Sequence, residues 1–173
     1  MFTKEDYNKW LDDQSNPELN KKLVEEFPFL LPRNRWTGEV HKDYDYSYTE
    51  LRDLENGWAK AFGYDLICDL KEVLVKTNCL DKYRITQIKE KYGTLRWYDY
   101  GAPKEVLDII NKYEQLSYET CIHCGKPSEY VTLGWINYLC KDCLDKYDLR
   151  GRLISEVEAE YAAEYREEDL EED

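Results

Sequence analysis

The chain has 173 residues, 42% of them hydrophobic and 14% aromatic, and carries a formal net charge of −13. This length and composition suit one domain with a hydrophobic core of its own. The sequence has no run of about 18 apolar residues, which excludes a transmembrane helix, and its N-terminal segment lacks the apolar stretch of a secretory signal. We therefore expect a protein of the cytoplasm that makes no contact with a membrane.

The negative charge is concentrated at the C-terminus. Residues 156–173 hold ten of the 37 acidic residues and one of the 24 basic residues, so residues 1–155 are only mildly acidic. An acidic tail repels nucleic acid and keeps a protein soluble. We expect an acidic helical tail with a frayed, solvated end over residues 156–173. The alternative is a tail that mimics nucleic acid or docks on a basic partner.

Two short helices are predicted at the N-terminus. Thr3 is a suitable N-cap for a helix over residues 3–14. Asn16 and Pro17 provide the cap and the first helical position of a second helix, which should end before Pro28.

An irregular loop should follow over residues 28–48 and complete an N-terminal region of residues 1–48. This segment contains prolines, Gly38 and a mixture of polar and apolar residues. The side chains expected to anchor it to the core are aromatic: Trp36, Tyr44, Tyr46 and Tyr48.

Residues 49–119 are predicted to form a core of a helix, a β-hairpin and a second helix. Apolar residues at helical spacing indicate a helix over residues 49–78 that is broken near Gly57 or Gly63. Its core-facing side chains would be Trp58, Phe62, Leu66, Ile67, Leu70, Val73 and Leu74. The second helix should cover residues 103–118, with an apolar stripe of Val106, Leu107, Ile110, Tyr113 and Leu116.

Residues 83–100 are typical of the β-hairpin, with a two-residue turn at Tyr92 and Gly93, because glycine supplies the positive φ of a tight turn. This turn places Lys89 directly opposite Arg96, and like charges in opposed positions are unfavourable. Alternation along the strands directs one set of side chains to the core, with Glu90 at its rim: Ile88, Leu95 and Trp97. The opposite, basic face would carry Gln87, Lys89, Lys91, Arg96, Tyr98 and Tyr100.

The charge of this basic face needs a counter-charge. The simpler interpretation is an acidic residue from elsewhere in this acidic chain. The other is an anionic ligand such as a phosphate, which arginine would grip in a fork and lysine would attract as a point charge, with a tyrosine stacked on a base. In that case the candidate ligand-binding residues are Lys89, Lys91, Arg96 and Tyr98.

Four of the six cysteines form two C-x-x-C pairs separated by fifteen residues, Cys121 with Cys124 and Cys140 with Cys143. In a chain without a secretory signal, this pattern favours a metal over disulfides. Four thiolates complete the tetrahedral coordination of Zn²⁺ and leave no open position, so we expect a structural and not a catalytic zinc ion. The alternatives are a site in which His123 replaces one cysteine, a redox-active dithiol, or no metal.

Residues 120–155 are predicted to fold around this site as a zinc module. Strands over residues 129–132 and 135–139 would form a hairpin, and a helix over residues 141–161 would begin at the second cysteine pair. A knuckle, a hairpin and a helix in this order indicate a treble-clef-like module, with a zinc ribbon as the alternative. The fold prediction is therefore α+β: helices packed on a β-hairpin, with a C-terminal treble-clef-like four-cysteine module, in one compact domain.

Residues with catalytic potential are few. His41 lies in the irregular loop and His123 inside the first cysteine pair, while Cys68 and Cys79 are interpreted as small buried hydrophobes. The sequence has no glycine-rich phosphate loop, no nucleophile elbow and no His-x-Glu deaminase pattern. We therefore predict a protein that is not an enzyme.

Two segments of the chain resemble a known family. Residues 87–98 have the sequence Gln-Ile-Lys-Glu-Lys-Tyr-Gly-Thr-Leu-Arg-Trp-Tyr, and the first cysteine pair is followed by Gly125 and then by a segment from Gly134 to Cys140. They are similar to the K-E-K-[FY]-G-x-L-R-[FW]-Y block and the zinc knuckle of small, mostly uncharacterised proteins encoded by bacteriophages and prophages. The similarity covers roughly residues 55–143. It implies a phage accessory protein and supplies no activity, and its family-like positions on the hairpin are Lys89, Lys91, Tyr92, Gly93, Arg96 and Tyr98.

The leading hypothesis is a non-enzymatic binding protein that inhibits a host defence system during infection. The resemblance implies this role, which would be performed in the host cytoplasm by binding a host protein or by sequestering a nucleotide signal. A nucleic-acid-binding zinc module is the second hypothesis, which the acidic charge opposes. The third is a nuclease or nucleotide hydrolase, for which the sequence offers no catalytic constellation. Assembly into a homo-oligomer is compatible with each of them.

Overall fold

The structure, a computed structural model, describes the backbone of residues 1–171 and the side chains of residues 1–164. It is 48% helical and 16% strand, which confirms the α+β class. The α-helices are α1 (Lys4–Asp12), α2 (Pro17–Glu26), α3 (Asn56–Trp58), α4 (Tyr64–Lys76), α5 (Lys104–Tyr118), α6 (Lys141–Lys146) and α7 (Ile154–Glu171). The strands are β1 (Arg84–Lys91), β2 (Thr94–Tyr100), β3 (Tyr130–Thr132), β4 (Tyr138–Leu139) and β5 (Gly151–Leu153).

Helices α1 and α2 begin at the predicted caps. The Thr3 side chain accepts the backbone N–H of Asp6, and the Asp6 side chain accepts the backbone N–H of Thr3, which is a reciprocal capping box. The Asn16 side chain caps α2, and Pro17 occupies the first position of that helix. Capping sets where each helix starts, and burial of large side chains such as Trp10 determines which face packs inward.

Of the four aromatic residues predicted to anchor the irregular loop, the three tyrosines pack together and the tryptophan is exposed. Tyr44 packs against Tyr46 and Tyr48, with ring centroids 5.0 Å and 5.6 Å apart. Trp36 is 92% exposed, so its prediction as an anchor is wrong. The Asn34 side chain accepts the backbone N–H of Trp36 and shapes a tight turn that leaves the indole in solvent.

The helix predicted over residues 49–78 is broken shortly before Gly57. Its parts are a 3₁₀ turn (Glu50–Asp53), α3, a π-helical turn (Ala59–Gly63) and α4. The break lies at Leu54, ahead of α3. The continuous helix that follows, made of α3, the π-helical turn and α4, is the core helix, and Gly57 and Gly63 both lie inside it. Each of these glycines makes room for a close neighbour; a Cβ on Gly63, for example, would lie 2.1 Å from the hydroxyl oxygen of Tyr7. The break predicted near Gly57 or Gly63 is therefore present three residues before Gly57, but neither glycine itself interrupts the helix.

The β1–β2 hairpin has the predicted register. Lys89 is paired with Arg96, and the turn residues Tyr92 and Gly93 have φ angles of 54° and 77°. Both angles lie in the left-handed region that a type I′ turn requires. A bulge after Ile85 ends the regular pairing. The three side chains predicted to face the core are buried: Ile88, Leu95 and Trp97.

Helix α5 covers the outer edge of β2. The backbone N–H of Leu95 donates to Ser117 Oγ at 2.9 Å, and that of Trp97 donates to Glu114 Oε1 at 3.2 Å. These side chains satisfy strand donors that would otherwise be unpaired. The face of α5 that carries Ser117 and Glu114 therefore packs against β2. As a result Ser117 is buried, while Leu107 is 53% exposed. Assigning Leu107 to the apolar stripe is therefore wrong.

The C-terminal module contains a three-stranded antiparallel sheet in the order β4-β3-β5. Strands β3 and β4 lie within the predicted segments but are shorter. The prediction of one helix over residues 141–161 is wrong, because α6 ends at Lys146 and Asp148 adopts a φ of 50°. The chain then returns as β5, which pairs with the free edge of β3 before α7 begins.

Helix α7 carries the start of the acidic tail, as expected. Glu158 accepts a hydrogen bond from the Tyr118 hydroxyl at 2.9 Å, and Arg152 forms an ion pair with Glu160. The first turns of α7 therefore contact both the end of α5 and the module. The end of the tail, which was expected to fray, lies outside the described residues at positions 172–173. Among the helices that the structure describes, none combines the length and the apolar character needed to cross a bilayer.

Candidate metal centre and hairpin surface

The first cysteine pair lies in a tight knuckle. The backbone N–H of Gly125 donates to the carbonyl oxygen of Cys121 at 2.9 Å, and the N–H of Cys121 donates to the carbonyl oxygen of Lys126 at 2.7 Å. Gly125 has a φ of 83°, which glycine adopts without steric cost. This turn brings the side chains of Cys121 and Cys124 to the same side of the chain.

The second cysteine pair lies at the start of a helix. Cys140 is the N-cap residue of α6, and Cys143 lies in its first turn. Pairing of Tyr130 with Leu139 in the β3–β4 hairpin places Cys140 directly after a strand. A hydrogen bond from the N–H of Ile122 to the carbonyl oxygen of Tyr138, at 3.2 Å, joins this hairpin to the knuckle. Knuckle, hairpin and helix thus meet in the predicted treble-clef-like order.

The four Sγ atoms converge on one point. They all lie within 4.8 Å of one another, and those of Cys124 and Cys140 are 3.5 Å apart. A tetrahedral ion with metal–sulfur bonds of about 2.3 Å separates its ligands by about 3.8 Å. Cys121, Cys140 and Cys143 are buried and Cys124 is partly buried. This cluster of four cysteines is therefore placed to hold a metal ion.

The cysteine thiols differ in how readily they ionise. At Cys121, burial opposes ionisation, but hydrogen bonds from the backbone N–H groups of Cys140, Cys124 and His123 prevail and lower the pKa. At Cys140 and Cys143, burial raises the pKa above its ordinary value, and for Cys143 the neighbouring sulfurs raise it further. Several thiolates so close together require a cation to offset their charge, so metal binding would displace protons from the cluster.

His123 and the two other cysteines are not part of the cluster. His123 stacks near Tyr147, with ring centroids 4.7 Å apart, and burial and the charge of Lys146 lower its pKa. Cys68 and Cys79 are partly buried and pack against the hydrophobic core, in keeping with their interpretation as small hydrophobes.

The four-cysteine cluster packs on the core helix through Gly57, a contact that the sequence pattern did not indicate. The N–H of Gly57 donates to the carbonyl oxygen of Ile122 at 2.8 Å. A Cβ on Gly125 would lie 2.6 Å from the carbonyl oxygen of Gly57. Two glycines therefore let the knuckle and the helix approach at backbone distance. The sequence shows Gly57 next to Trp58, but it does not show that Gly57 contacts the knuckle.

The four candidate ligand-binding residues of the basic face are in different situations. The ammonium group of Lys89 lies 5.0 Å from the ring centroid of Tyr98, so these two side chains are brought together. Arg96 donates to Thr94 Oγ1 at 2.8 Å and to the carbonyl oxygen of Leu95 at 2.7 Å. Its guanidinium also lies 3.9 Å from Glu114, which is an internal acidic counter-charge.

Lys91 lies at the hairpin turn, away from this pairing. Its ammonium group is 5.3 Å from the ring centroid of Tyr92, which is 66% exposed. Next to this turn, Trp135 at the tip of the β3–β4 hairpin is 76% exposed. Tyr92 was predicted as a turn residue and a family-like position, but neither it nor Trp135 was predicted to bind a ligand, because neither belongs to a catalytic or metal-binding motif.

A comparison of the chain with models of known protein families finds no match, and neither do searches of curated proteins and of solved structures.

Proposed function

We propose that this chain is a non-enzymatic binding protein whose C-terminal module is held together by a structural Zn²⁺ ion. The four-cysteine cluster carries the proposal, because four thiolates fill every position of a tetrahedral zinc ion and leave none for a substrate or a reactive water molecule. The backbone contact between Gly57 and Ile122 supports an architectural role, since the ion would order the knuckle that packs on the core helix.

The choice of zinc rests on the donor set. Magnesium and calcium take oxygen ligands, whereas four thiolates suit zinc or iron. Elemental analysis of protein purified without added metal or chelator separates these two, and we expect about one zinc per chain. Iron in its place, or no metal at all, would contradict the proposal.

The resemblance to phage and prophage proteins supports a more specific role. On that basis the chain would be a phage-encoded accessory protein that acts in the host cytoplasm and inhibits a host defence system. It would do so by binding a host protein or by capturing a nucleotide signal. The neighbouring Lys89 and Tyr98 side chains support the second route, because a cation beside an aromatic ring suits a phosphate attached to a base.

Two measurements distinguish the routes. Isothermal titration with cyclic and ADP-ribose-type nucleotides tests capture of a signal; Lys89→Ala should weaken any binding on the basic face, while Lys82→Ala, an exposed lysine just before β1, should not. A pull-down from lysate of infected host cells tests the protein route. If no nucleotide binds and no host protein is retained, the proposed binding function is wrong.

A further inference from the structure

Two hairpin tips meet on the surface of the molecule. A Cβ on Gly93, in the turn of the β1–β2 hairpin, would lie 3.0 Å from the carbonyl oxygen of Ile136 and 2.9 Å from the ring of Tyr138. The two hairpins are distant in sequence, and the second is joined to the cysteine cluster. A groove of about 400 Å³ opens between the tips, lined by Glu90, Lys91, Tyr92, Gly134, Trp135 and Ile136.

The aromatic side chains of this groove contribute little to the hydrophobic core. Tyr92 is 66% exposed and Trp135 is 76% exposed. Tyr92 also has a φ of 54°, at a turn position where asparagine, aspartate and glycine are usual because a bulky side chain disfavours the left-handed conformation. An exposed aromatic residue held in an unfavourable backbone conformation indicates a role in function, since it does not help the fold.

A cation and a hydrogen-bond acceptor lie beside these rings. The ammonium group of Lys91 is near the Tyr92 ring, and no ion-pair partner for it occurs among the side chains of residues 1–164. Glu90 accepts the backbone N–H of Gly93 through Oε1, which leaves Oε2 for a ligand. The groove therefore offers two aromatic surfaces, one positive charge and one acceptor.

We propose that this groove binds a nucleotide, with the base stacked on Tyr92 and Trp135 and the phosphate held by Lys91. Glu90 would accept a hydrogen bond from a base amino group or a ribose hydroxyl. Base–aromatic stacking and a nearby cation are the usual elements of such recognition, and the volume lies in the range of small-molecule sites. The inference rests on the proposed binding function, but it places the nucleotide at the two hairpin tips and not beside Lys89 and Tyr98 on the basic face.

Tryptophan fluorescence can test the site directly. Trp10, Trp58 and Trp97 are buried, so quenching by a ligand in solution reports on Trp36 and Trp135. In a Trp36→Phe background, quenching of the fluorescence therefore reports on Trp135 in the groove alone. We expect saturable quenching by AMP, GMP, CMP or UMP and weaker quenching by the matching nucleosides, which lack the phosphate. Parallel titrations with short single-stranded oligonucleotides distinguish a free nucleotide from the end of a nucleic acid as the source of the base.

Variants of the groove test the assignment of its residues. Tyr92→Ala and Lys91→Ala should each weaken binding about tenfold or more. Trp135→Phe removes the fluorescent reporter, so its binding is measured by isothermal titration, and it should retain most of the affinity because the ring still stacks. Lys82→Ala is the matched control, since this exposed lysine lies just before β1, at the opposite end of the strand from the turn. Zinc content and circular dichroism should be unchanged in all of these variants, because the replaced side chains are largely exposed.

The possible failures are distinct. Nucleotide binding that survives in Tyr92→Ala and Lys91→Ala would overturn the groove assignment and leave the proposed binding function standing, with the ligand elsewhere. Retention of a host protein without any quenching by nucleotides would also overturn the nucleotide inference but not the binding function. If neither a nucleotide nor a host protein binds, both proposals are wrong.

Discussion

Gly57, in the first turn of the core helix, donates its backbone N–H to the carbonyl oxygen of Ile122 inside the first cysteine knuckle, at 2.8 Å. The two residues are 65 positions apart in sequence, and a direct backbone contact joins the elements that contain them. A metal ion bound by the four cysteines would order this knuckle, so we expect metal binding and the packing of the core helix to stabilise each other.

Replacing Gly57 by alanine tests this coupling. The added Cβ would lie 2.1 Å from the carbonyl oxygen of Cys121 and 2.5 Å from that of Ile122. Alanine improves helix propensity by about 1 kcal/mol, but overpacking against backbone atoms, which cannot rotate away, costs about 1–3 kcal/mol or more. We expect the clash to dominate, with a lower melting temperature and faster loss of metal to a chelator. Asn56→Ala is the control: this exposed residue precedes Gly57 in the same helical turn, and its replacement adds no atom against the knuckle, so metal retention should not change. Equal metal loss in both variants would contradict the steric explanation.

Removing one cysteine of the cluster should remove the metal. In Cys143→Ser a thiolate is replaced by a hydroxyl, which is a poor zinc ligand at neutral pH. Because metal binding supplies folding free energy, the module should lose stability on the order of several kcal/mol. Zinc content and near-ultraviolet circular dichroism measure the two effects. Cys68→Ser, outside the cluster, should keep the zinc and change stability by about 1 kcal/mol or less. Full zinc occupancy in Cys143→Ser would show that the fourth sulfur is not a ligand.

The hydrogen bond between Leu95 and Ser117 should matter for stability. Ser117→Ala leaves a buried strand N–H without a partner, which costs about 1–3 kcal/mol. Urea denaturation should show this loss, and hydrogen exchange at the Leu95 amide should become faster. The exposed Ser155 offers a comparison, because Ser155→Ala should stay within about 0.5 kcal/mol of the parent protein. Unchanged exchange at Leu95 in Ser117→Ala would mean that the edge of β2 is protected by something else.

The capping box of α1 should titrate in acid. Hydrogen bonds from the Thr3 backbone, from Lys22 and from the Thr3 hydroxyl lower the pKa of Asp6 from its ordinary value of 3.8 to about 2. Because the folded-state pKa is depressed, the stability that the carboxylate contributes is complete above pH 3.8 and is lost as the pH falls towards 2. Carboxyl chemical shifts measured by NMR should give the Asp6 midpoint near this value. In Thr3→Ala the hydroxyl is lost and the backbone N–H remains, so the midpoint should move up in part. A midpoint that stays put would exclude the Thr3 hydroxyl as a cause.

The features predicted well from the sequence are those set by nearby residues. The pairing of Lys89 with Arg96 follows from a two-residue turn, because the turn length fixes every pair that follows until the bulge near Ile85. The caps at Thr3 and Asn16 are local in the same sense. A break was expected near Gly57 and lies at Leu54, but helical periodicity cannot show that Gly57 itself is held inside a helix by a distant neighbour.

At the candidate site, the identity of the metal-binding side chains can be predicted from a short segment of sequence, whereas the contacts around them cannot. Spacing alone paired Cys121 with Cys124 and Cys140 with Cys143, and the structure brings all four together. The internal counter-charge of Arg96 came from Glu114 on α5, which no spacing rule could have identified.

The amino-acid sequence by itself determined the α+β class, the hairpin register and the four cysteines of the candidate metal centre, because each follows from turn geometry or donor chemistry within a short segment. Only the tertiary structure decided where that centre rests and what lies beside it. Contacts such as Gly57 with Ile122, or the hairpin tips that carry Tyr92 and Trp135, join segments far apart in the chain. Such contacts arise from the packing of whole helices and strands, and the pattern of residues along the chain does not show which elements pack together.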